Sequence, residues 1–337
     1  MEYSPSAIST GRRINGLMSV SATAALIEAG APLAIAGRAE ALAGLPRGCW
    51  IGGTTPYFMT ESGGCIIGAD QLFVTDFSHL GTVRVNRYDQ DNLQQITAEA
   101  PHNGFALTII PFHSACHKRF AQEAGSYPQA YLRPAIGWIA GFDLNDEGAQ
   151  AQVFDGITGR SHTDRAVVLH IQLPEDFTPV INMINLFERD GGQTFHFDDV
   201  SFSPSHVVVD GVRLPFADYI RSRGMEHGRL PMVGGYAGAH TNVSLRSVHG
   251  DNVELYAPVF PDVEYGFARP VSDYAAEFRK RFESGPRESV AWSCNCILNF
   301  LYGELEGKAL GSCAGPVTFG EIAHGLLNQT LVEVQVI

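Results

Sequence analysis

The run "GFALTIIPF", residues 104–112, constrains the fold more than any other stretch, because Thr108 is its only hydroxyl-bearing or charged side chain. An amphipathic helix or a half-exposed strand would interrupt such a run with polar residues at a regular period. A short, continuous apolar segment reads instead as a strand covered on both faces, which needs layers above and below it. Comparable segments recur at "APLAIAG" (31–37), "CWIGGTT" (49–55), "GWIAGFDL" (137–144) and "RAVVLHIQL" (165–173), with helix-forming "RAEALAGL" (38–45) and "HSACHKRFAQEA" (113–124) between them. The Ala/Leu spacing from Leu17 to Ala29 reads as an amphipathic helix ended by Gly30. This alternation predicts an α/β protein whose mixed sheets are flanked by helices.

At 337 residues the chain is long for a single core, so two lobes with a cleft between them are expected. Residues 1–44 read as a helical and strand lead-in, 45–174 as the first lobe and 180–337 as the second, the break being carried by Pro174 and "PEDFTP". Apolar-Gly steps recur at strand ends in both parts ("IGGTT", "IGWIAG", "VGGYAG") and point to related halves. In the second part "PVSDYAAEFRKRFESGP" is the clearest helix, with Ser272 as N-cap and Gly285-Pro286 as the stop. "SVAWSCNCILNFLYG" reads as a strand running into a helix. The final "TLVEVQVI" reads as a half-buried strand, with Val332, Val334 and Val336 on one face and Leu331, Glu333 and Gln335 on the other.

A formal net charge of −13, with no Lys/Arg cluster longer than "RKR" at 279–281, argues against nucleic acid as a partner. No run approaches the roughly 18 apolar residues that span a bilayer, so no membrane insertion is expected. The six cysteines (Cys49, Cys65, Cys116, Cys294, Cys296 and Cys313) form no regular framework, which reads as a reducing, cytoplasmic setting. Arg12 and Arg13 before a mildly apolar run give the rival reading of an export signal, which polar Asn15, Ser19, Ser21 and Thr23 and the charged Glu28 weaken.

Several chemical motifs fail on spacing. "GELEGKA" from Gly303 is one residue short of a phosphate loop and carries Ala309 where a Mg²⁺-binding hydroxyl is required, and "GGYAGAH" lacks the G-x-G-x-x-G spacing, so no nucleotide cofactor is expected. "GSCAG" (311–315) is a Cys version of a nucleophile elbow, but strand-like "VTF" follows where a helix should begin. A Cys-dependent hydrolase using Cys313 or Cys294 is nonetheless the enzymatic alternative. His113 and His117 stand four residues apart, a spacing that on one helix face can hold a metal or haem, against the plainer reading of polar helix residues. Neither this pair nor the cysteines supply four ligands at a recognised spacing, so no zinc is expected. His196 and Asp198 share a strand face, which solvation explains as well as acid–base chemistry does.

"GPVTFGEIAHGLLNQTLVEVQV" (315–336) resembles the end of FIST domains, where a "(Y/F)GEI" step precedes "NQT" and the last strand. "VVVDGVRLPFADYI", "SVAWSCNCILNFLYGE", "WIGGTTPYFMTESGG" and "GWIAGFDLN" are similar to further segments of that family, so that the resemblance spans roughly residues 45–337. It departs from the family where Asn299 or a neighbour stands in place of a common Arg, and in the "GTTPYFMTESGG" loop. The resemblance implies sensing of a small ligand without chemistry, with output through a separate signalling partner, and it leaves open a haem-based gas sensor. It also implies a ligand site near Thr54, Thr55, Gly234, Gly235, Gly320, Glu321 and Asn328. The residues themselves support two readings of the tail. Glu321 projects into a cavity and touches ligand, or Asn328, Gln329 and Thr330 satisfy a buried carboxyl and lock the last strand.

Overall fold

Strand Gly104–Pro111 is buried along its whole length, pairing in parallel with Ala135–Ala140 and antiparallel with Ala166–Gln172. In the computed structural model, which describes residues 2–3, 14–236, 239–282, 290–311 and 313–337, these three strands form the centre of a seven-stranded mixed sheet. Arg12 and Arg13, the helix stop at Gly285-Pro286 and Ser312 of "GSCAG" lie outside the described residues.

Alternate side chains of the central strand enter different cores. Phe105, Leu107 and Ile109 face a second layer of sheet, whereas Ala106 and Ile110 face helices. The second layer consists of two six-stranded sheets. One, amino-terminal, has Leu33–Gly37 paired with Trp50–Thr54 and Gln71–Asp76. The other, carboxy-terminal, has Leu331–Val336 between Pro179–Ile184 and Val290–Cys296, and continues through Gly315–Thr318 to Tyr57–Thr60. Trp138 of the long sheet stacks on Trp292 of the carboxy-terminal sheet, with ring centroids 5.6 Å apart and planes at 18°. Helices close both outer faces: Val20–Glu28 and Ala39–Ala43 over the amino-terminal sheet, Ala115–Glu123 over the long sheet, Tyr274–Phe282 and Ile297–Tyr302 over the carboxy-terminal sheet. The α/β architecture is therefore a helix/sheet/sheet/helix sandwich, and its doubly covered sheets explain the uninterrupted apolar runs.

Strands from 1–44 and 45–174 are neighbours in one sheet, and strands from 45–174 and 180–337 share two others, since Tyr57–Thr60 pairs with Gly315–Thr318 and Ala135–Ala140 with Glu321–Ala323. Between Pro179–Ile184 and Tyr274–Phe282 the chain leaves the sandwich and builds a smaller body. Its antiparallel sheet includes Glu264–Phe267, Met232–Tyr236 and Ala239–Val243, with helix Phe216–Ser222 and the hairpin of Leu245–His249 with Asn252–Leu255 beside it. Its interior is a separate core, in which Phe195, Phe197, Phe216, Tyr219, Tyr265 and Phe267 pack among aliphatic residues.

Four local expectations are corrected. The helix expected from Leu17 starts at Val20, because residues Asn15–Ser19 pair as a strand and the extended Ser19 accepts a hydrogen bond from the Ala22 amide as N-cap. The helix expected to be capped by Ser272 is capped by Asp273, whose Oδ1 accepts from the Ala276 amide at 2.9 Å. His113 does not share a helix face with His117. Ser114 is the N-cap, accepting from the His117 amide at 3.0 Å, so His113 precedes the helix and sits at φ +65°. The last strand is covered on both faces over residues 331–334, with Leu331 under helices and Val332 and Val334 in the core between sheets. Among the described residues no helix is long and apolar enough to cross a membrane.

Candidate functional site

The tail motif occupies the place where the smaller body meets the sandwich. Gly320 turns the chain out of strand Gly315–Thr318 into the short hairpin of Glu321–Ala323 with Gly325–Leu327. This hairpin extends the long sheet and places Glu321 opposite Trp138. The Glu321 side chain is fully buried, and its Oε2 accepts from both the Thr330 hydroxyl (2.7 Å) and the Thr330 amide (3.2 Å). Burial pushes the carboxyl up to about 8; the bonds from Thr330 and the nearby Cys296 thiol and Thr318 hydroxyl oppose that shift without overcoming it. The group is thus mostly a neutral acid at pH 7.

The remaining residues of the triplet fasten the smaller body. Gln329 Oε1 accepts from the Ser244 hydroxyl at 2.7 Å, and its Nε2 donates to the Arg229 carbonyl at 3.2 Å. The Asn242 amide donates to the carbonyls of Asn328 and Gln329. The tail residues therefore form a polar lock, in which Thr330 holds Glu321 and Gln329 holds the insertion.

The other expected ligand residues are spread over the molecule. Thr54 donates to the Gly141 carbonyl at 2.6 Å and accepts from the Gln152 amide, while Thr55 donates to the Val317 carbonyl at 2.7 Å. Both tie neighbouring segments of the sandwich together. Gly234 and Gly235 lie on a strand of the smaller body, where a Cβ on Gly234 would press on Val263 and Tyr265 and one on Gly235 would press on Arg189. Asn328 is buried beside the hairpin. Thr54, Thr55, Gly320 and Glu321 share the sandwich, Gly234 and Gly235 do not join them, and none of the seven lines either of the two joint pockets described below.

A pocket of about 280 Å³ opens on the other side of the lock, in the joint itself. Its floor is built where strand Val290–Cys296 passes into helix Ile297–Tyr302. Asn295 Oδ1 accepts from the Cys296 amide and from Asn299 Nδ2, and Asn299 Nδ2 also donates to the Thr330 carbonyl. The Asn299 amide nitrogen is thus used up. Asn299 lines the pocket, and its Oδ1 is buried with no hydrogen-bond partner among the described residues. The Tyr274 hydroxyl is in the same condition, and burial, with Cys296, Glu321 and Cys313 nearby, holds it well above the ordinary phenol range. Phe187, Leu230 and Val271 supply apolar walls, and the exposed Arg229 forms no ion pair among the described residues. Sequence reasoning missed Arg229 and Tyr274 as pocket residues, since they come from distant segments and match no motif, and it read Gln329 only as part of the tail motif. Asn299 left a trace only as one of the positions at which the sequence could depart from the FIST pattern.

None of the thiols of Cys49, Cys116, Cys294 and Cys296 is activated. Burial pushes Cys49 up to about 11 and Cys116 up to about 12, and holds Cys294 and Cys296 well above the ordinary thiol value, the opposite of what a nucleophile needs. Among the described residues no group of three or more His, Cys, Asp or Glu is placed to hold a metal ion.

No curated protein and no solved structure matches the chain. The resemblance to FIST domains is overturned, because the family model that matches is a different one and extends over nearly the whole chain. A Gly-Glu step and an Asn-Gln-Thr triplet are short polar devices that serve any strand end needing a lock, and they carry no lineage by themselves. The chain belongs to the family of unknown function DUF6976, whose model matches residues 18–337.

Proposed function

We propose that the protein binds a small organic acid carrying a hydroxyl or amino group, in the pocket between the smaller body and the sandwich. The observation that carries this reading is that two of the residues lining the pocket, Asn299 and Tyr274, each hold a buried polar atom with no partner among the described residues, Asn299 Oδ1 and the Tyr274 hydroxyl. An unpaired buried polar group costs about 1–3 kcal/mol, and a ligand that supplies its partner recovers that cost on binding. Asn299 Oδ1 accepts only, so the ligand brings an N–H or O–H donor to the floor. Arg229 at the rim takes an anionic group, and the apolar walls take the carbon skeleton between them. A volume of about 280 Å³ lies just below the range of ligand pockets, about 300 to 1,000 Å³, and so suits a small molecule. Sensing through a separate partner rested on the FIST resemblance and loses that support; the binding reading rests on the pocket.

The test is a thermal-shift screen of small hydroxy acids and amino acids, each paired with its amide and with its deoxy or deamino analogue. A molecule with both groups raises the melting temperature, and removal of either group abolishes the rise. If no acid shifts the melting, or the amides act as well as the acids, the reading is wrong.

A further inference from the structure

A second pocket of about 280 Å³ lies in the joint between the two bodies, and its recognition chemistry differs from that of the first. Helix Ala115–Glu123 of the sandwich contributes His117 and Lys118, while the smaller body contributes Phe202, Arg246 and Tyr256. His117 is the element that points to a ligand. Its ring is 4% exposed and lies between Phe112, at 5.3 Å between centroids, and Phe202, at 6.0 Å. The His113 amide donates to His117 Nδ1 at 3.4 Å, so Nδ1 is the acceptor and the ring proton resides on Nε2. The left-handed backbone of His113, φ +65°, accompanies this bond. His117 lines the pocket, and its buried Nε2–H has no partner among the described residues. Burial pushes the imidazole down to about 3, so it remains a neutral donor at any working pH.

The surroundings narrow what accepts that hydrogen bond. The Phe112 and Tyr256 rings stand 6.3 Å apart at 30° and, with Phe202, give flat aromatic walls suited to a planar ring. Of the two cations, Arg246 is paired with Glu254 at 3.4 Å, whereas Lys118 is exposed and has no ion pair among the described residues. The pocket therefore offers, from floor to rim, a neutral N–H donor, aromatic walls and one uncompensated positive charge.

We propose that this pocket is a second binding site, for a planar aromatic acid whose ring oxygen accepts from His117 Nε2–H and whose carboxylate meets Lys118. It is separate from the Arg229 pocket and does not depend on the function proposed for that one. The donor is on the opposite partner in the two sites, because Asn299 requires a ligand donor and His117 requires a ligand acceptor. A hydroxyl can serve either site, so it is the aromatic walls and Lys118 that set the ligand of the second site apart.

The experiment titrates the whole chain with 4-hydroxybenzoate, benzoate and 4-hydroxybenzamide, following saturable binding by ligand-observed NMR. 4-Hydroxybenzoate should bind, and loss of its hydroxyl or of its charge should each weaken binding about ten-fold. His117→Phe, which keeps an aromatic ring in the space, should abolish the preference for hydroxybenzoate over benzoate. Lys118→Ala, an exposed substitution that leaves the fold intact, should abolish the preference for the acid over the amide. Arg229→Ala in the other pocket should change neither. The proposal is overturned by absence of saturable 4-hydroxybenzoate binding to the wild-type chain, by unchanged preferences in Lys118→Ala, or by loss of binding in Arg229→Ala.

Discussion

Thr330 Oγ1 donates a 2.7 Å hydrogen bond to Glu321 Oε2 inside the joint between the two bodies, where neither side chain meets solvent. The bond keeps an acid of raised pKa in place without ionising it, and a pH dependence follows. The Glu321 carboxyl titrates at about 8 when folded, against an ordinary value of 4.5. Between these values the native state holds the proton and the unfolded chain has lost it, so stability falls as pH rises through the window and is fully present below it. Melting of the wild-type chain should decline from pH 5 to pH 8 by an amount on the order of a few kcal/mol. Glu321→Gln does not titrate and accepts from Thr330 through its amide oxygen, so its melting should be flatter over the same range. An equal slope in the variant would show that other groups dominate.

Removing the donor is a separate perturbation. Thr330→Val keeps the shape and deletes the hydroxyl, removing the shorter of the two bonds from Thr330 to Oε2. A loss of about 1–3 kcal/mol is expected, read from the denaturation midpoint at pH 6. A smaller effect would mean that the neutral acid is satisfied without the hydroxyl.

Gln329 and Ser244 join the smaller body to the sandwich through one 2.7 Å bond, with Asn242 reinforcing it on two carbonyls. Ser244→Ala deletes the donor to Gln329 Oε1 and leaves a buried amide oxygen without it. Hydrogen exchange should quicken at residues 242–245 and 328–331 and remain unchanged in strand Gly104–Pro111, whose protection belongs to the sandwich core. Uniform acceleration over the chain would place the bond in global stability rather than in the joint.

The layered architecture was legible because doubly covered strands leave an unmistakable trace, as in Gly104–Pro111, where every residue is buried. Burial of Glu321 was legible for a local reason, since a carboxyl placed before an Asn-Gln-Thr triplet brings its own partners nine residues on. The pockets were not, because Arg229, Tyr274, Asn299 and Gln329 meet only after the insertion folds back onto the sandwich. The His113 reading failed on one side chain: a cap bond at Ser114 begins the helix after His113 and turns an apparent i, i+4 pair into a ring and the backbone amide that orients it.

The centre of the long sheet offers a backbone test. Gly137 lies at φ +139°, and a Cβ there would overlap the carbonyl oxygen of Thr108 on the paired strand. Since that obstacle is backbone, no rotamer change relieves it. Gly137→Ala should cost about 3 kcal/mol or more, with strain and displacement of the ladder both contributing. Trp292→Ala, which removes the partner of Trp138 from the core between sheets, should cost a comparable 3–5 kcal/mol by cavity formation. If either variant melts within a degree or two of the parent, the sheet packing is not as described.

Arg229 separates ligand recognition from stability. Its side chain is exposed and forms no ion pair among the described residues, while the lock uses only its carbonyl, accepting from Gln329 Nε2. Arg229→Ala keeps that carbonyl, so the unliganded midpoint should move by no more than about 0.5 kcal/mol. With the acid identified by the screen at a hundred times its dissociation constant, the wild-type chain gains about 2.7 kcal/mol. Losing a charged hydrogen bond weakens binding about 10- to 100-fold, which at the same ligand concentration cuts the gain to about 0.4–1.4 kcal/mol. The variant should therefore melt with the parent when free and several degrees below it when saturating ligand is present. If the two curves coincide in both states, Arg229 does not touch the ligand. If they differ already in the free state, the residue belongs to the joint, and the anionic end of the ligand must be recognised elsewhere.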